Sequence, residues 1–324
     1  MQAMILAAGF GTRLKPYSTL RPKPLFPVLN RPLLARIIDR LLAVGCDPVV
    51  VNAHHLPEQI AELLRHYPRV LLQREQEILG TGGGLRRALP LLRNEPLLVV
   101  NGDIVHDIDL AGLWQRHRAT GAQVTLALHD YPQHNKVAVQ GERVLNFTAD
   151  SGVAGTQLLA FTGVQVVEPR VLERIPAAGF FHVIDLYETL AQEGEGVRGQ
   201  RVDGCRWWDM GTPQEYLALH GALLTAPSRP WPERAADVAG YPLCLAPDAR
   251  IPRDLAWHDW LVVGAGATIG AGAELSRCVV WDGAQVPAGA RLCDVIVTTY
   301  IRQEAFIARR PAPGEGNGPP APAE

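Results

Sequence analysis

The chain opens on an apolar strand that empties into a glycine turn. Ala3-Met-Ile-Leu6 runs into Leu6-Ala-Ala-Gly-Phe-Gly-Thr-Arg-Leu14, and Pro22-Lys-Pro24 follows. This start constrains the fold strongly, because open α/β sheets bind ligands just beyond the carboxyl ends of their strands. Gly9 and Gly11 carry no Cβ, so main-chain N–H groups of Ala8, Gly9, Gly11 and Thr12 can approach an anion closely. Arg13 and Lys23 add two cations. Of the 31 basic residues only Lys15, Lys23 and Lys136 are lysines. A lysine set between two prolines in so arginine-rich a chain reads as functional, whereas Lys15 reads as solvated.

Beyond the turn, apolar runs alternate with amphipathic ones. Ala3–Ala8, Pro48–Ala53, Val70–Gln73, Pro96–Asn101 and Val124–His129 read as strands. Leu33–Val44, Pro57–His66, Gly84–Leu92 and Leu110–Thr120 show helical spacing. The alternation predicts an α/β fold, a Rossmann-like, mainly parallel sheet with helices on both faces. Asp103 then lies just past a strand end, beside the glycine turn. From Lys136 to Arg206 the pattern is strand-rich (Val137–Val139, Val144–Phe147, Leu158–Val167), with one helix at Val183–Glu193. Thr212 is placed to cap a helix that has Pro213 at its first position and runs to about Leu224.

The chain thus divides into a first domain at 1–225, a linker at 226–246, a second domain at 247–305 and a Pro/Gly/Ala-rich tail at 306–324 that reads as disordered. In the second domain Ile251, Trp257, Val263, Ile269 and Leu275 recur every six residues. Val280, Val286 and Leu292 follow after one short step. A six-residue period predicts a β-helix of hexapeptide turns; the alternative is an irregular Gly/Ala-rich tail. So short a helix has little core of its own and would pack on the first domain or on another copy, a possible route to a homo-oligomer.

The 324 residues are 47% hydrophobic and 20% charged, with net charge −2. That balance suits a full core and favours neither nucleic acid nor an anionic membrane as partner. The five cysteines form no C-x-x-C pair, which argues against a disulfide framework or a zinc knuckle. No apolar run approaches the ~20 residues that span a bilayer. The chain begins on a core strand instead of a charged leader, so a cytoplasmic protein is expected.

The glycine turn with Pro22-Lys-Pro24 resembles the opening motif of the nucleoside-triphosphate:sugar-1-phosphate nucleotidyltransferases. Three further segments match that family in order: Glu77-Ile-Leu-Gly-Thr-Gly-Gly-Gly84, Val99-Val-Asn-Gly-Asp103 and Trp208-Asp-Met-Gly-Thr-Pro213. The resemblance implies an enzyme that makes a nucleotide sugar and pyrophosphate from a nucleoside triphosphate and a sugar-1-phosphate. It implies Mg²⁺ on Asp103 and Asp209, with Arg13 and Lys23 on the β- and γ-phosphates. The base would lie against Gly80, Thr81, Gly83 and Gly84 and the main chain around Ala7–Gly9. The hexapeptides resemble the left-handed β-helix that many of these enzymes append. Thr-Gly-Gly-Gly resembles uridylyltransferases of N-acetylmuramate-1-phosphate, while Leu79-Gly-Thr and Trp208-Asp-Met-Gly resemble mannose-1-phosphate guanylyltransferases. UTP and GTP therefore both stand as donors. The acceptor is a phosphate largely dianionic at pH 7, with a second pKa near ~6, so no general base is required.

The resemblance departs at one point. Relatives carry Glu-Lys-Pro after the strand that matches Arg143-Val-Leu-Asn-Phe147, with the lysine on the sugar phosphate, but Thr148-Ala-Asp-Ser151 follows here. Lys136 is the candidate replacement, and a solvated loop lysine is the alternative. Thr162 and Gly163 match the sugar-contacting segment. His54-His55 reads as a poor metal pair, since neighbours leaving a strand point apart, and Trp207-Trp208 reads as pocket wall or core. A dinucleotide-binding oxidoreductase is disfavoured, for the third glycine is missing and Val50-Val-Asn-Ala53 offers no carboxylate for a ribose. A catalytically silent regulatory or assembly paralogue would be expected to have lost one of Arg13, Lys23, Asp103 or Asp209.

Overall fold

Strands buried on both faces set the framework. In the computed structural model, which describes residues 1–148, 153–194, 196–225 and 242–299, β1 (Gln2–Leu6) ends at the glycine turn. The chain passes through α1 (Tyr17–Leu20), a minimal hairpin of β2 (Pro27–Val28) and β3 (Arg31–Pro32), and α2 (Leu33–Ala43). Strand and helix then alternate as β4 (Val49–Ala53), α3 (Pro57–Leu64), β5 (Val70–Arg74), α4 (Gly80–Ala88) and β6 (Leu97–Asn101). After β7 (Ile104–His106) and α5 (Leu110–Thr120) come β8 (Val124–His129), β9 (Val137–Gln140), β10 (Arg143–Asn146) and the long β11 (Gln157–Val167). Then follow α6 (Pro169–Leu172), α7 (Val183–Gln192), β12 (Val197–Arg201), β13 (Trp207–Asp209) and α8 (Pro213–Thr225). Two compact units result, Met1–Leu219 and the described residues from His220 on.

Nine strands of the first unit form one sheet in the order β5-β4-β1-β6-β11-β8-β12-β10-β9. The pairings from β5 to β6 are all parallel. β11 then enters antiparallel to both β6 and β8, and of the pairings beyond it only β8–β12 is parallel. The sheet is therefore mixed, not mainly parallel. Met4, Val50, Leu97 and Val99 share a core with Leu85 and Ala88 of α4 and Val183, Leu186 and Leu190 of α7. The alternate residues Ala3, Ile5, Val49, Val51, Leu98 and Val100 are equally buried, so the opposite face is covered too. Each such side chain contributes about 1.5–3 kcal/mol if fully buried.

Helix α5 occupies the span its periodicity predicts: the Asp109 carboxylate accepts from Gly112 N–H, and Gly121 closes the helix with φ 61°. Thr212 caps α8 as expected, accepting from Glu215 N–H at 3.2 Å and donating to the Glu215 carboxylate at 3.0 Å. Helix α4 differs, starting at Gly80 instead of Gly84. Its glycine-rich first turn has poor intrinsic propensity. It forms because Gly82 and Gly83 N–H donate to the Phe181 carbonyl at 2.8 and 3.2 Å, a partner 98 or more positions away in the chain.

The second unit contains β14 (Leu243–Leu245), β15 (Ala256–Val263), β16 (Thr268–Ile269), β17 (Glu274–Val280), β18 (Gln285–Val286), β19 (Arg291–Cys293) and β20 (Ile296–Val297). All stack in parallel, coil on coil. Three six-residue steps separate Leu243 from its partner Leu261 and Ala256 from Glu274, whereas Leu261 meets Cys278, one residue short. The shift falls at Asp259, whose φ is 61°, and it accounts for the short step in the sequence rhythm. Val263, Ile269, Leu275, Val280, Val286 and Leu292 share one core, with Ile251 and Trp257 packed against it. For these residues the irregular-tail alternative fails. β14 also shows that the coil starts before residue 247, inside the expected linker. The rest of that linker (226–241) and the stretch 300–324, with the expected tail, lie outside the described residues.

Candidate active site

The glycine turn lines a cavity of about 420 Å³ together with Lys23, Asn52, Ile78, Gly80, Thr81, Asn101, Asp103, Phe180, His182 and Gly211. Gly11 adopts the left-handed conformation with φ 60°, and a Cβ there would press on Ser18 and Lys23. At Gly9 a Cβ would meet nothing within 4 Å. The protein itself has no steric need for glycine there, and the open side is the cavity. Ala8, Gly9, Gly11, Thr12 and Arg13 all border it. Ala7 borders it too, but its N–H is already given to Asn52 Oδ1 of the side-chain amide at 2.7 Å.

Asn52 belongs to a buried polar hub that sequence reasoning missed. Its amide donates to Glu75 at 2.7 Å, Glu75 accepts from Leu79 N–H at 3.3 Å, and Gln73 donates to the Gly84 carbonyl at 3.0 Å. The hub ties the β1 turn, the ends of β4 and β5 and the start of α4 into one unit. It also explains Gly84, where a Cβ would lie 2.8 Å from the Asn52 amide. The expected base-binding glycines therefore divide. Gly80 and Thr81 line the cavity, whereas Gly83 and Gly84 are buried and let the 179–183 segment and the hub pack against α4. The helix start does not offer free N–H groups at Gly82 and Gly83, since Phe181 takes both.

Two carboxylates converge through a two-stranded ribbon. Gly102 N–H donates to the Leu6 carbonyl at 2.8 Å, holding the end of β6 beside β1, and Asp103 follows. β7 pairs antiparallel with β13, so that Ile104 faces Asp209 and His106 faces Trp207. Arg40 anchors β7 by donating to the carbonyls of His106 and Ile108 at 2.6 and 2.8 Å. Burial, reinforced by the Arg40 charge, holds the His106 ring well below the ordinary histidine pKa and hence neutral at pH 7.

Lys23 sits between the carboxylates. Its Nζ lies 2.7 Å from Asp103 Oδ2 and 3.3 Å from Asp209 Oδ1, on a side chain only 9% exposed. Arg13 is 67% exposed, its Nη2 3.9 Å from Asp209 Oδ2. Lys23, expected on phosphate, here contacts both aspartates, and the exposed Arg13 borders the same cavity. The pair focuses on one cation position and offers oxygen donors alone. Among the described residues no group of three or more His, Cys, Asp or Glu converges. An ion here would take its remaining ligands from phosphate and water, a set that suits Mg²⁺.

A second cavity of about 350 Å³ shares Asn101 and Asp103 with the first and reaches Lys136, Phe147, Phe161, Ile184, Trp207 and Asp209. Lys136 is exposed on its rim. Thr162 and Gly163 line it, but the Thr162 hydroxyl is buried and donates to the Ala127 carbonyl at 2.8 Å. Gly163, with φ 77°, leaves room for Asn101, whose amide nitrogen would lie 2.7 Å from a Cβ. Trp207 serves as pocket wall, its indole N–H donating to the Thr162 carbonyl at 2.8 Å. His54 and His55 contact the carbonyls of Glu75 and Ser18 and pack against Phe10, so neither joins the carboxylates. Residues 149–152, which include most of the segment replacing Glu-Lys-Pro, lie outside the described residues.

The chain is similar to known proteins. The nucleotidyl transferase family matches residues 2–226. A mannose-1-phosphate guanylyltransferase from Mycobacterium tuberculosis is 31% identical over 301 residues, covering 89% of this chain and 82% of that one. A probable mannose-1-phosphate guanylyltransferase 1 from Oryza sativa subsp. japonica is 28% identical, covering 92% and 86%. The crystal structure of HddC from Yersinia pseudotuberculosis complexed with GMP-PN matches the fold with a TM-score of 0.57 at 21% identity, over 67% of this chain and 97% of that one. The chain belongs to the nucleotidyl transferase family, among the sugar-1-phosphate nucleotidyltransferases. Its substrates are accordingly a nucleoside triphosphate and a sugar-1-phosphate, and enzymes of this class generally use a divalent metal. No helix among the described residues is long and apolar enough to cross a membrane.

Proposed function

We propose that this enzyme transfers a guanylyl group from GTP to mannose-1-phosphate or a closely similar sugar-1-phosphate. The observation that carries this reading is the convergence of Lys23, Asp103 and Asp209 at the point where the two cavities meet. The guanine choice is supported by the names of the relatives, which are mannose-1-phosphate guanylyltransferases. In this reading the triphosphate lies along the turn from Ala8 to Thr12, the base lies toward Gly80 and Thr81, and the sugar phosphate enters past Lys136, Thr162 and Gly163. Mg²⁺ on Asp103 and Asp209, when bound, neutralises charge on the α-phosphate. The Arg13 guanidinium pairs with the departing pyrophosphate, a planar donor set suited to phosphate oxygens. Positioning suffices for the rest, since the attacking oxygen is already anionic. The second unit, read as a left-handed β-helix, would support association between copies of a cytoplasmic enzyme.

A matrix of the four nucleoside triphosphates against several sugar-1-phosphates, read by pyrophosphate release, tests this. The expected result is turnover with GTP and mannose-1-phosphate about tenfold above any UTP pair, a margin of about 1.4 kcal/mol. Preference for UTP would replace the guanine reading. Absence of turnover in every well would favour the silent paralogue, against which the retention of Arg13, Lys23, Asp103 and Asp209 already speaks.

A further inference from the structure

We propose that Lys23 and the divalent cation compete for one position, so that the protein takes up metal with the nucleotide and resists taking it up alone. The inference rests on reading Asp103 and Asp209 as the metal ligands. Lys23 Nζ contacts one oxygen of each, at 2.7 and 3.3 Å. A small divalent ion bonds carboxylate oxygens at about 2.0–2.1 Å and needs the lone pairs that the ammonium occupies. Both cannot serve the same pair of oxygens, and two cations there repel. Metal entry therefore expels the ammonium.

The expelled group needs a new partner. Lys23 is buried, its backbone is fixed in a tight turn between Pro22 and Pro24, and its stem packs beneath Gly11. A buried charge that loses its counter-ion is strongly unfavourable. With the carboxylates taken by metal, the space within reach of a rotating lysine stem is the cavity bordered by Gly9, Gly11, Thr12 and Arg13. That cavity supplies cations and N–H donors, and among the described residues no carboxylate other than Asp103 lines it. A phosphate in it provides the missing anion. Metal and nucleotide thus assist each other through one side chain, and by linkage the assistance is reciprocal. Lys23 is in this sense a coupling residue as well as a phosphate ligand.

The test measures Mn²⁺ binding by the loss of the free-ion EPR signal, with and without an α,β-methylene GTP analogue. Wild type is compared with Lys23→Met, Lys23→Gln, Arg13→Met and Asp103→Asn. Without nucleotide, Lys23→Met is expected to bind Mn²⁺ about tenfold more tightly than wild type. Arg13→Met removes an equal charge nearby and is expected to gain no more than about threefold, because its guanidinium does not occupy the position. The factor by which the analogue tightens Mn²⁺ binding should be about tenfold smaller in Lys23→Met than in wild type, chelation by the analogue cancelling in the ratio. Lys23→Gln gives the same comparison should the methionine variant fold poorly. Equal Mn²⁺ affinity in wild type and both Lys23 variants, with binding still abolished by Asp103→Asn, overturns the proposal and leaves the metal ligands standing. Binding indifferent to Asp103→Asn overturns both.

Discussion

The two cavities that meet at Asn101 and Asp103 are built from different material. The larger is walled by the main chain of two glycine-rich segments, the turn after β1 and the start of α4, with Arg13 and Lys23 as its cations. The smaller is walled by side chains from scattered elements, among them Phe147, Phe161, Ile184 and Trp207, with Lys136 on its rim. A ligand held by backbone can be exchanged only by moving backbone, so residue spacing there is rigid. A wall of side chains can be altered one residue at a time while the fold stays as it is. In the proposed reading the donor side is therefore constrained by backbone geometry, and the acceptor side can change one side chain at a time.

The largest expected effect attacks the boundary itself. Asp103→Asn keeps size and removes charge from the residue common to both cavities. It should lower kcat about a thousandfold, some 4 kcal/mol, while circular dichroism stays that of wild type. A near wild-type rate at saturating Mg²⁺ would show that the cavities are not joined through this carboxylate. Lys136→Ala sharpens the contrast. It should lower kcat/KM for the sugar phosphate about tenfold and leave the KM for GTP within about twofold. A change on the donor side instead would break the division of labour.

A smaller effect concerns the ribbon that serves both sides. Burial depresses the pKa of His106, and likewise of His117 and His129, below the ordinary 6.5. Below that value the unfolded chain binds protons that the folded chain refuses, so stability should fall as pH drops from 7 toward 5. Thermal melts across that range check the sign. A melting temperature that rises on acidification would mean that these rings become charged within the fold.

The same contrast explains what the sequence made legible. The glycine turn, Asp103 and Asp209 could be found because backbone geometry and charge demand particular residues at fixed spacing. α5 was legible because its helical spacing covers the span that Asp109 and Gly121 close in the structure. The hub of Asn52, Gln73 and Glu75 was missed, although each is a polar residue closing or following an otherwise apolar strand. Its purpose appears only when four distant segments are brought together. The Phe181 carbonyl that takes the Gly82 and Gly83 N–H groups was hidden for a similar reason, since it comes from a distant segment. β11 could be predicted as a strand, but nothing local says that it pairs between β6 and β8. Lys136 was singled out by its rarity, while Asn101, which borders both cavities, has no such mark.

The pairing of β7 with β13 also sets an order of events in the making of the protein. Ribosomes add about 5–20 residues per second, starting from the N-terminus. Some roughly 5–20 s must therefore pass between the synthesis of Asp103 and that of Asp209. Throughout that interval the nascent chain already holds the glycine turn, Arg13, Lys23 and one of the two carboxylates. In the proposed reading both carboxylates come together only when the chain has grown past Trp207 and the ribbon has zipped, so a ribosome-bound fragment stopped short of β13 would carry the glycine turn without its second aspartate.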